Sequence, residues 1–374
     1  MLRIKLDYSF THHDNAEGAT GAGAAHLDNP LFALLAAIRQ AGSIRKAAAH
    51  LGLSYRHVWG ELKRWEGALG QPLIVWKKGR HAQLTPFGEK LAWAETRARA
   101  RIAPQIQSLA SELESAFAVA FDDAAHVLTV QASHDLALPL LKDRLLACAI
   151  HLDLQYRGSL DALAALTAGR CLLAGFHVSD DHASASLTAK SFKRHLVPGR
   201  HKLIDFAARR QGLMLARGNP QSIRGLADLT RSGLRFVNRQ PGSGTRIEIE
   251  QLFAAQSIDP VQVNGFDNEE STHLAVAAAV AAGAADAGFG IEAAALRYGL
   301  DFIALMNERY YLACFKETLE IPAVVTLLQV LSSAAWRAEA AALPGYTLAD
   351  PGAVVPLTRA LPWYRYRMQK KARI

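Results

Sequence analysis

The sequence predicts an α/β protein in two parts, a small helical head with a β-hairpin and a larger body of alternating strands and helices. Three patterns carry that expectation. Between Asp28 and Gly70, apolar residues recur at helical spacing in three short runs separated by glycines. From Thr85 a fourth run keeps a roughly heptad apolar seam as far as Leu113. From Val127 onward, short β-rich runs alternate with helical ones, as in an open sheet flanked by helices. A length of 374 residues fits two domains or three.

Residues 11–27 are small and polar without periodicity, so 1–27 is expected to be a flexible extension. Asp28-Asn29-Pro30 places a capping residue before proline, and Leu31, Leu34, Leu35 and Ile38 follow on one helical face. Gly42 ends that helix. Ser43 is placed to cap a second, with the stripe Ile44, Ala47, Ala48 and Leu51. After Gly52, Ser54 is placed to cap a third, with apolar positions Tyr55, Val58, Leu62, Trp65 and Leu69. Two short helices across a glycine turn, the second longer and richer in cations, form a helix-turn-helix pattern. Residues 73–76 and 82–84 read as strands of a wing whose turn is Lys77-Lys78-Gly79-Arg80-His81. The head therefore spans 28–88.

Thr85-Pro86 starts a long helix, with proline at the first turn where its missing N–H costs nothing. Leu91, Ala94, Ala98, Ile106, Leu109 and Leu113 give this linker, 89–120, a dimerisation seam, and Pro104 inside it must kink or divide the helix. In the body, 121–345, strands are expected at 127–132, 152–156, 172–178, 203–207, 213–216, 234–237, 261–265, 287–291 and 302–305. A largely parallel sheet of that size is enough for two lobes, with a crossing at Arg217-Gly218-Asn219-Pro220. Residues 310–315 read as a strand returning to the first lobe, followed by a helix from Pro322 to about Ala340. Residues 346–374 form a basic tail.

Charge is uneven. The chain holds 42 Lys+Arg against 34 Asp+Glu, with 13 basic and 7 acidic residues in 28–117 but 21 and 24 in 118–358. A basic front on a slightly acidic body suits contact with a polyanion. Cys148, Cys171 and Cys314 are far apart, which excludes a cysteine metal site and a disulfide framework. No secretory signal or membrane span is legible, so a cytoplasmic protein is expected.

The exposed face of the third helix carries Ser54, Arg56, His57, Trp59, Gly60, Lys63 and Arg64. A helix of this size fits the major groove, where guanidinium forks read guanine and lysines meet phosphates. Ser43 presents a hydroxyl and a helix start to phosphate, and the wing adds Lys77, Lys78 and Arg80. A solvated basic face would look similar residue by residue; the order of caps, glycine breaks, basic hairpin and arm favours DNA.

A second constellation is Asn238-Arg239-Gln240-Pro241-Gly242-Ser243-Gly244-Thr245-Arg246, between a strand and a helix. Glycines let successive N–H groups converge, Ser243 and Thr245 add hydroxyls, and the helix start adds positive potential, so the segment is an anion cradle. Ser133, Gly158-Ser159 and Thr272 stand at three further strand-to-helix junctions. Singly each reads as an N-cap; together, at the carboxyl ends of strands, they suggest one convergent site.

Gly42-Ser43-Ile44-Arg45-Lys46-Ala47-Ala48, Leu53-Ser54 and Leu84-Thr85-Pro86-Phe87-Gly88 resemble the winged helix-turn-helix of LysR-type regulators. Ser54-Tyr55-Arg56-His57-Val58-Trp59 is closer to the N-terminal domain of molybdate-responsive regulators of the ModE type. The resemblance covers about 28–115 and adds Arg45 and Tyr55 to the DNA-facing set. It implies a dimer, or a tetramer, on a pseudo-palindromic site in double-stranded DNA. Residues 236–246 and 269–291 resemble the periplasmic-binding-protein-like (type II) domain of molybdenum-related regulators, over about 127–341. That implies two lobes closing on a small ligand. Carried over by position, Ser133, Ser159, Ser243, Gly244, Thr245 and Thr272 face the cleft, with His177 and Arg239 as further candidates. Arg246 departs from what a bare oxyanion needs and suits a carboxylate or a phosphorylated pterin equally.

No enzyme is expected. Ser133-His134-Asp135 has the residues of a triad, but adjacent side chains project apart and cannot bond in series. The expected function is a transcription regulator without covalent cofactor or metal, sensing molybdate, tungstate or a pterin-type anion. Two alternatives stay open: the same architecture sensing a small organic acid such as formate, and a cytoplasmic oxyanion- or pterin-binding protein that does not bind DNA.

Overall fold

The computed structural model describes residues 10–12, 25–27, 29–76, 82–179 and 186–364. The expectations for Lys77, Lys78 and Arg80, for most of 1–27 and for 365–374 lie outside the described residues. Within the N-terminal extension, β1 (Phe10–His12) and β2 (Ala25–Leu27) pair antiparallel where no regular structure was expected. Beyond them the chain forms two compact units, divided within the long helix between Arg99 and Ala100.

The head follows its apolar spacing. α1 (Asn29–Ala41), α2 (Ile44–His50) and α3 (Tyr55–Leu69) bury Leu31, Leu35, Ile38, Ile44, Ala47, Val58, Leu62 and Trp65 in one cluster. β3 (Ile74–Trp76) and β4 (Ala82–Leu84) pair antiparallel as the wing and contribute Ile74 and Leu84 to it. Ser54 caps α3 by accepting the His57 N–H at 3.1 Å. Ser43 stands at the N-cap of α2, but its side chain makes no capping bond; the backbone bond from Ala47 to the Ser43 carbonyl starts that helix alone. Tyr55, counted both among the apolar positions of this helix and in the DNA-facing set, is exposed, because as the first residue of α3 it lies beyond the packed face.

The start of α4 (Pro86–Phe121) explains Leu84-Thr85-Pro86-Phe87-Gly88. Thr85 Oγ1 donates to the Pro72 carbonyl at 2.7 Å and accepts the Gly88 N–H at 3.0 Å. A Cβ on Gly88 would stand 2.5 Å from the Leu73 carbonyl oxygen, so only glycine lets the helix lie this close to the wing. α4 continues as one helix through Pro104.

The body is a mixed α/β sheet. β5 (His126–Ala132), α5 (Leu138–Ala147), β6 (Ile150–Tyr156), α6 (Ser159–Thr167), β7 (Leu173–Ser179), α7 (Leu187–Lys193) and β8 (His201–Leu215) come first. Then follow β9 (Phe236–Arg239), α8 (Gly244–Ala255), β10 (Glu269–Glu270), α9 (His273–Ala281), β11 (Ala287–Ile291), α10 (Glu292–Arg297) and β12 (Asp301–Phe315). The strand order is β10-β9-β11-β8-β12-β7-β5-β6. β5, β6 and β7 run parallel in one lobe and β9, β10 and β11 in the other, while β8 and β12 pair antiparallel and pass through both.

Several expectations need correction. Residues 203–207 and 213–216 belong to one strand, β8, as 302–305 and 310–315 belong to β12, because each ladder continues across the polar middle of the other. The lobe crossing therefore lies within these strands and not at Arg217–Pro220. Residues 261–265 are not a strand; Pro260 starts a 3-10 turn and Gly265 has φ +89°. The helix expected from Pro322 divides into α11 (Pro322–Ser332) and α12 (Ala334–Ala341), with Ser333 capping the second. Past it, β13 (Tyr346–Thr347) and β14 (Val354–Pro356) pair with β8 and α13 (Leu357–Ala360) packs nearby, so 346–364 is part of the body.

The second half of α4 covers the sheet edge. Ser111 Oγ donates to the Leu152 carbonyl at 2.6 Å and accepts the Leu154 N–H at 2.9 Å, and Ser108 Oγ accepts the Tyr156 N–H at 2.9 Å. These are outward-facing backbone groups of edge strand β6, which would otherwise stand unpaired. Among the described residues no helix is long and apolar enough to cross a membrane.

Candidate functional site

The head presents the expected polar face. Arg45, Ser54, Arg56, His57, Gly60, Lys63 and Arg64 are exposed, while Val58, Leu62 and Trp65 hold α3 to the core. Glu66 accepts from the backbone N–H groups of Leu73 and Ile74, which fixes α3 against the start of the wing. Lys63 pairs with Glu66 at 2.7 Å and Arg64 with Glu61 at 2.6 Å, so both must exchange a carboxylate for a new partner; Arg56 has no ion pair among the described residues. Nothing lies within 4 Å of a Cβ built on Gly60. A mid-helix glycine costs roughly 0.5–1 kcal/mol relative to alanine, and here the protein's own packing does not require it.

In the body, a cavity of about 360 Å³ opens between the carboxyl ends of β6 and β9, the start of α9 and the flank of α4. Arg239 and Thr272 line it, together with Gly158, next to Ser159. Arg239 is buried, donates through Nη2 to the Ser271 carbonyl at 2.8 Å, and leaves Nε and Nη1 without a partner. Burial, then the charge of Arg209, pushes its pKa down to about 10. It pairs with no carboxylate among the described residues. Ser159 Oγ and His134 Nδ1 are likewise buried and unpartnered. Buried polar groups are normally satisfied, and among the residues that line this cavity Arg239 and His134 are exceptions. A second cavity of similar volume, beside Asp205 and Arg359, has no such atoms.

The other expected residues lie elsewhere. Ser133 Oγ is 3.3 Å from His177 Nδ1, and Thr245 Oγ1 is 3.2 Å from His177 Nε2. Gly244 is needed because a Cβ there would stand 2.6 Å from that imidazole. Ser243 Oγ is spent capping α8. Arg246 turns to Glu250 at 2.6 Å and stacks over Phe266, with Glu269 at 3.5 Å. None of Ser133, His177, Ser243, Gly244, Thr245 and Arg246 lines the cavity. Gln240, inside the expected cradle, and Ser271, beside Thr272, line it as well, and His134, Tyr156, Arg157 and several residues of α4 do so without having been expected there.

Below the cavity lies a buried ionic layer, also missed. Arg209, opposite Glu308 in the β8–β12 ladder, pairs with Asp135 at 2.5 Å and with Glu308. Tyr346 donates to Asp135 at 2.7 Å and Gln211 donates to Glu308. Burial raises the Glu308 pKa to about 7 against the pull of Arg209. Burial, with the nearby arginines, holds His177 and His273 well below the usual imidazole range, and His134 falls to about 4, again chiefly through burial.

These shifts set a pH dependence. Each histidine binds fewer protons folded than unfolded between its folded value and about 6.5, so its contribution is present above pH ~6.5 and lost on acidification. Glu308 works in the opposite sense, its contribution being lost as pH rises from about 4.5 towards about 7. Three groups outweigh one. Thermal unfolding from pH 7.5 to 5 should show falling stability, each net proton contributing about 1.4 kcal/mol per pH unit. His273→Gln should flatten that slope. A pH-independent midpoint in the parent protein contradicts the assignment.

Residues 31–89 match a family model described as bacterial regulatory helix-turn-helix protein, lysR family. Residues 145–332, half of the chain, match the PBP superfamily domain. Uncharacterized protein YvgK of Bacillus subtilis is 32% identical over 201 residues, 54% of this chain and 64% of that protein, so the chain spans less than two thirds of its length. An uncharacterized protein from the region 5' of a 2Fe-2S ferredoxin gene in Clostridium pasteurianum is 38% identical over 110 residues, 29% of this chain and 97% of that one. The molybdenum-pterin-binding protein MopB of Rhodobacter capsulatus is 39% identical over 85 residues, 22% of this chain and 32% of that one.

Proposed function

The chain belongs to the PBP superfamily through its body, and its head, residues 31–89, is similar to bacterial regulatory helix-turn-helix proteins of the lysR family; from that premise we propose a one-component transcription regulator of the cytoplasm that senses a small anion in its cleft. The match of the head to that family supports a regulator and not an enzyme. The observation that carries the anion reading is Arg239. A buried guanidinium with two donor nitrogens, Nε and Nη1, left unpartnered and with no carboxylate beside it is costly, and a bound anion removes the cost. The part-chain similarity to MopB supports a molybdenum-related anion such as molybdate, tungstate or a pterin. Leu109, Phe117 and Phe121, exposed on α4, support pairing of two or four chains through this helix, and so a pseudo-palindromic operator.

The test has two arms. In gel-shift titrations on operator DNA, Arg56→Ala and Lys63→Ala should each weaken binding, a phosphate contact also lowering the salt slope by about 1. Thermal shift with molybdate, tungstate, formate and a pterin should reveal stabilisation by at least one of them. Unchanged DNA binding in both variants removes the head from the reading, and indifference to every anion removes the cleft.

A further inference from the structure

One end of the first lobe gathers cations without acids. Residues 186–204 hold Lys190, Lys193, Arg194, Arg200 and Lys202 and no Asp or Glu, although across 118–358 the acidic residues outnumber the basic ones by 24 to 21. α7 buries Thr188, Ala189 and Phe192. That turns Lys190, Lys193 and Arg194, spaced i, i+3 and i+4, outward on one face, where all three are exposed. Cations at a helix C-terminus also answer the helix dipole, which is worth about 0.3–1 kcal/mol each. Arg200, Lys202 and Lys316 come from other elements, and that explanation does not reach them.

Contacts hold these elements together. The Val197 N–H donates to His201 Nδ1 at 3.0 Å, and the Lys316 N–H donates to the Arg200 carbonyl at 2.9 Å. The Arg200 guanidinium lies 5.0 Å over the Phe315 ring, and Tyr364 donates to the Leu196 carbonyl. Among the described residues Lys190, Arg194, Arg200, Lys202 and Lys316 form no ion pair, whereas the exposed Arg210 and Arg235 pair with Glu292 and Asp286 at 2.6 and 2.8 Å. Glu317 and Glu320, exposed in the same 3-10 turn as Lys316, pair with none of the five. Like charges gathered without counter-charges repel, and a polyanion relieves that repulsion. Protein–protein interfaces are depleted in lysine and centred on aromatic and apolar side chains, while DNA interfaces are strongly positive. Four of the six cations here are lysines, and the exposed apolar neighbours are the single residues Leu187 and Val197.

We propose that the surface made by the end of α7, the start of β8 and Lys316 binds the phosphate backbone of double-stranded DNA, as a contact of the body's own and separate from the helix-turn-helix. It carries no sequence information, because ammonium and guanidinium groups on phosphates position a protein without reading bases.

Fluorescence anisotropy of the full chain with a labelled non-operator duplex, across a salt series, tests this. Replacing Lys190→Gln, Arg194→Gln and Arg200→Gln together should lower the slope of log affinity against log salt by about 2–3, since each phosphate contact contributes about 0.9. The charge-preserving set Lys190→Arg, Arg194→Lys and Arg200→Lys should keep the parental slope. An unchanged slope in the glutamine set overturns the proposal, and so does an equal loss in both sets, which would mark a structural role. A chain carrying Arg56→Ala and Lys63→Ala in the head should retain binding at low salt, and the glutamine set should remove it. No residual binding in that chain overturns the proposal and leaves the head reading intact. Loss from the glutamine set alone, with the head variants indifferent, supports this surface and removes the head. Polyglutamate at equal charge should displace the duplex from the head variant far less readily than unlabelled duplex does. Equal displacement would assign the surface to an acidic protein and overturn the DNA assignment.

Discussion

Replacing Arg239 with methionine should raise the thermal midpoint of the ligand-free protein and abolish its stabilisation by anions. The side chain lies in a buried position with Nε and Nη1 unpartnered, and its one bond goes to the Ser271 carbonyl. That bond contributes roughly 1 kcal/mol, whereas each unsatisfied buried donor costs about 1–3 kcal/mol and a desolvated unpaired charge more. Methionine fills similar volume without charge. The net expectation is a gain of about 1–3 kcal/mol in the empty protein, a few degrees in midpoint. The same variant should lose the ligand-linked gain, which for a saturating ligand at a hundred times its Kd is about 2.7 kcal/mol. Such a trade of stability against binding is usual at functional sites. Differential scanning fluorimetry with and without anion reads both effects. A lower midpoint combined with a retained anion shift would place the anion elsewhere.

Local signals made the head legible and left the cleft half-hidden. Caps, glycine breaks and period-3.6 apolar spacing act over a few residues, so α1, α2, α3 and the wing strands follow from the sequence. The anion cradle was placed by the same local logic, and that logic could not rank its two arginines. Arg246 has Glu250 one turn ahead on the same helix, an i,i+4 pair readable in the sequence, and the structure uses it. Arg239 has no acid at such spacing, and that absence is what leaves it available. Ala207-Ala208-Arg209-Arg210-Gln211-Gly212 looks like a break between strands. It is instead the middle of β8, because Glu308 meets Arg209 across the ladder from a distant part of the chain. Ser108 and Ser111 look like the polar side of an amphipathic helix, and only the edge of β6 shows what they bind. The site residues that escaped are those whose partners are far away in sequence.

Arg209→Met should have the opposite effect, a loss of about 3–5 kcal/mol, because it breaks a buried ionic cluster from the cationic side. Arg209 is fully buried between Asp135 and Glu308. Without it two carboxylates remain in a low-dielectric layer, and only donors such as Tyr346, Gln211 and the Ala137 N–H remain to them. The Glu308 pKa, already raised to about 7 by burial, should climb further, so that the variant regains part of its stability at acidic pH. Adding Glu308→Gln to the variant removes one stranded charge and should recover part of the loss at neutral pH. Urea unfolding of the parent, the single and the double variant measures all three. Arg209 and Arg239 share a residue type and a buried setting and differ in having a carboxylate partner. If both methionine variants lose similar stability, hydrophobic packing and not charge pairing sets the energetics of this layer, and the reason for placing an anion on Arg239 disappears.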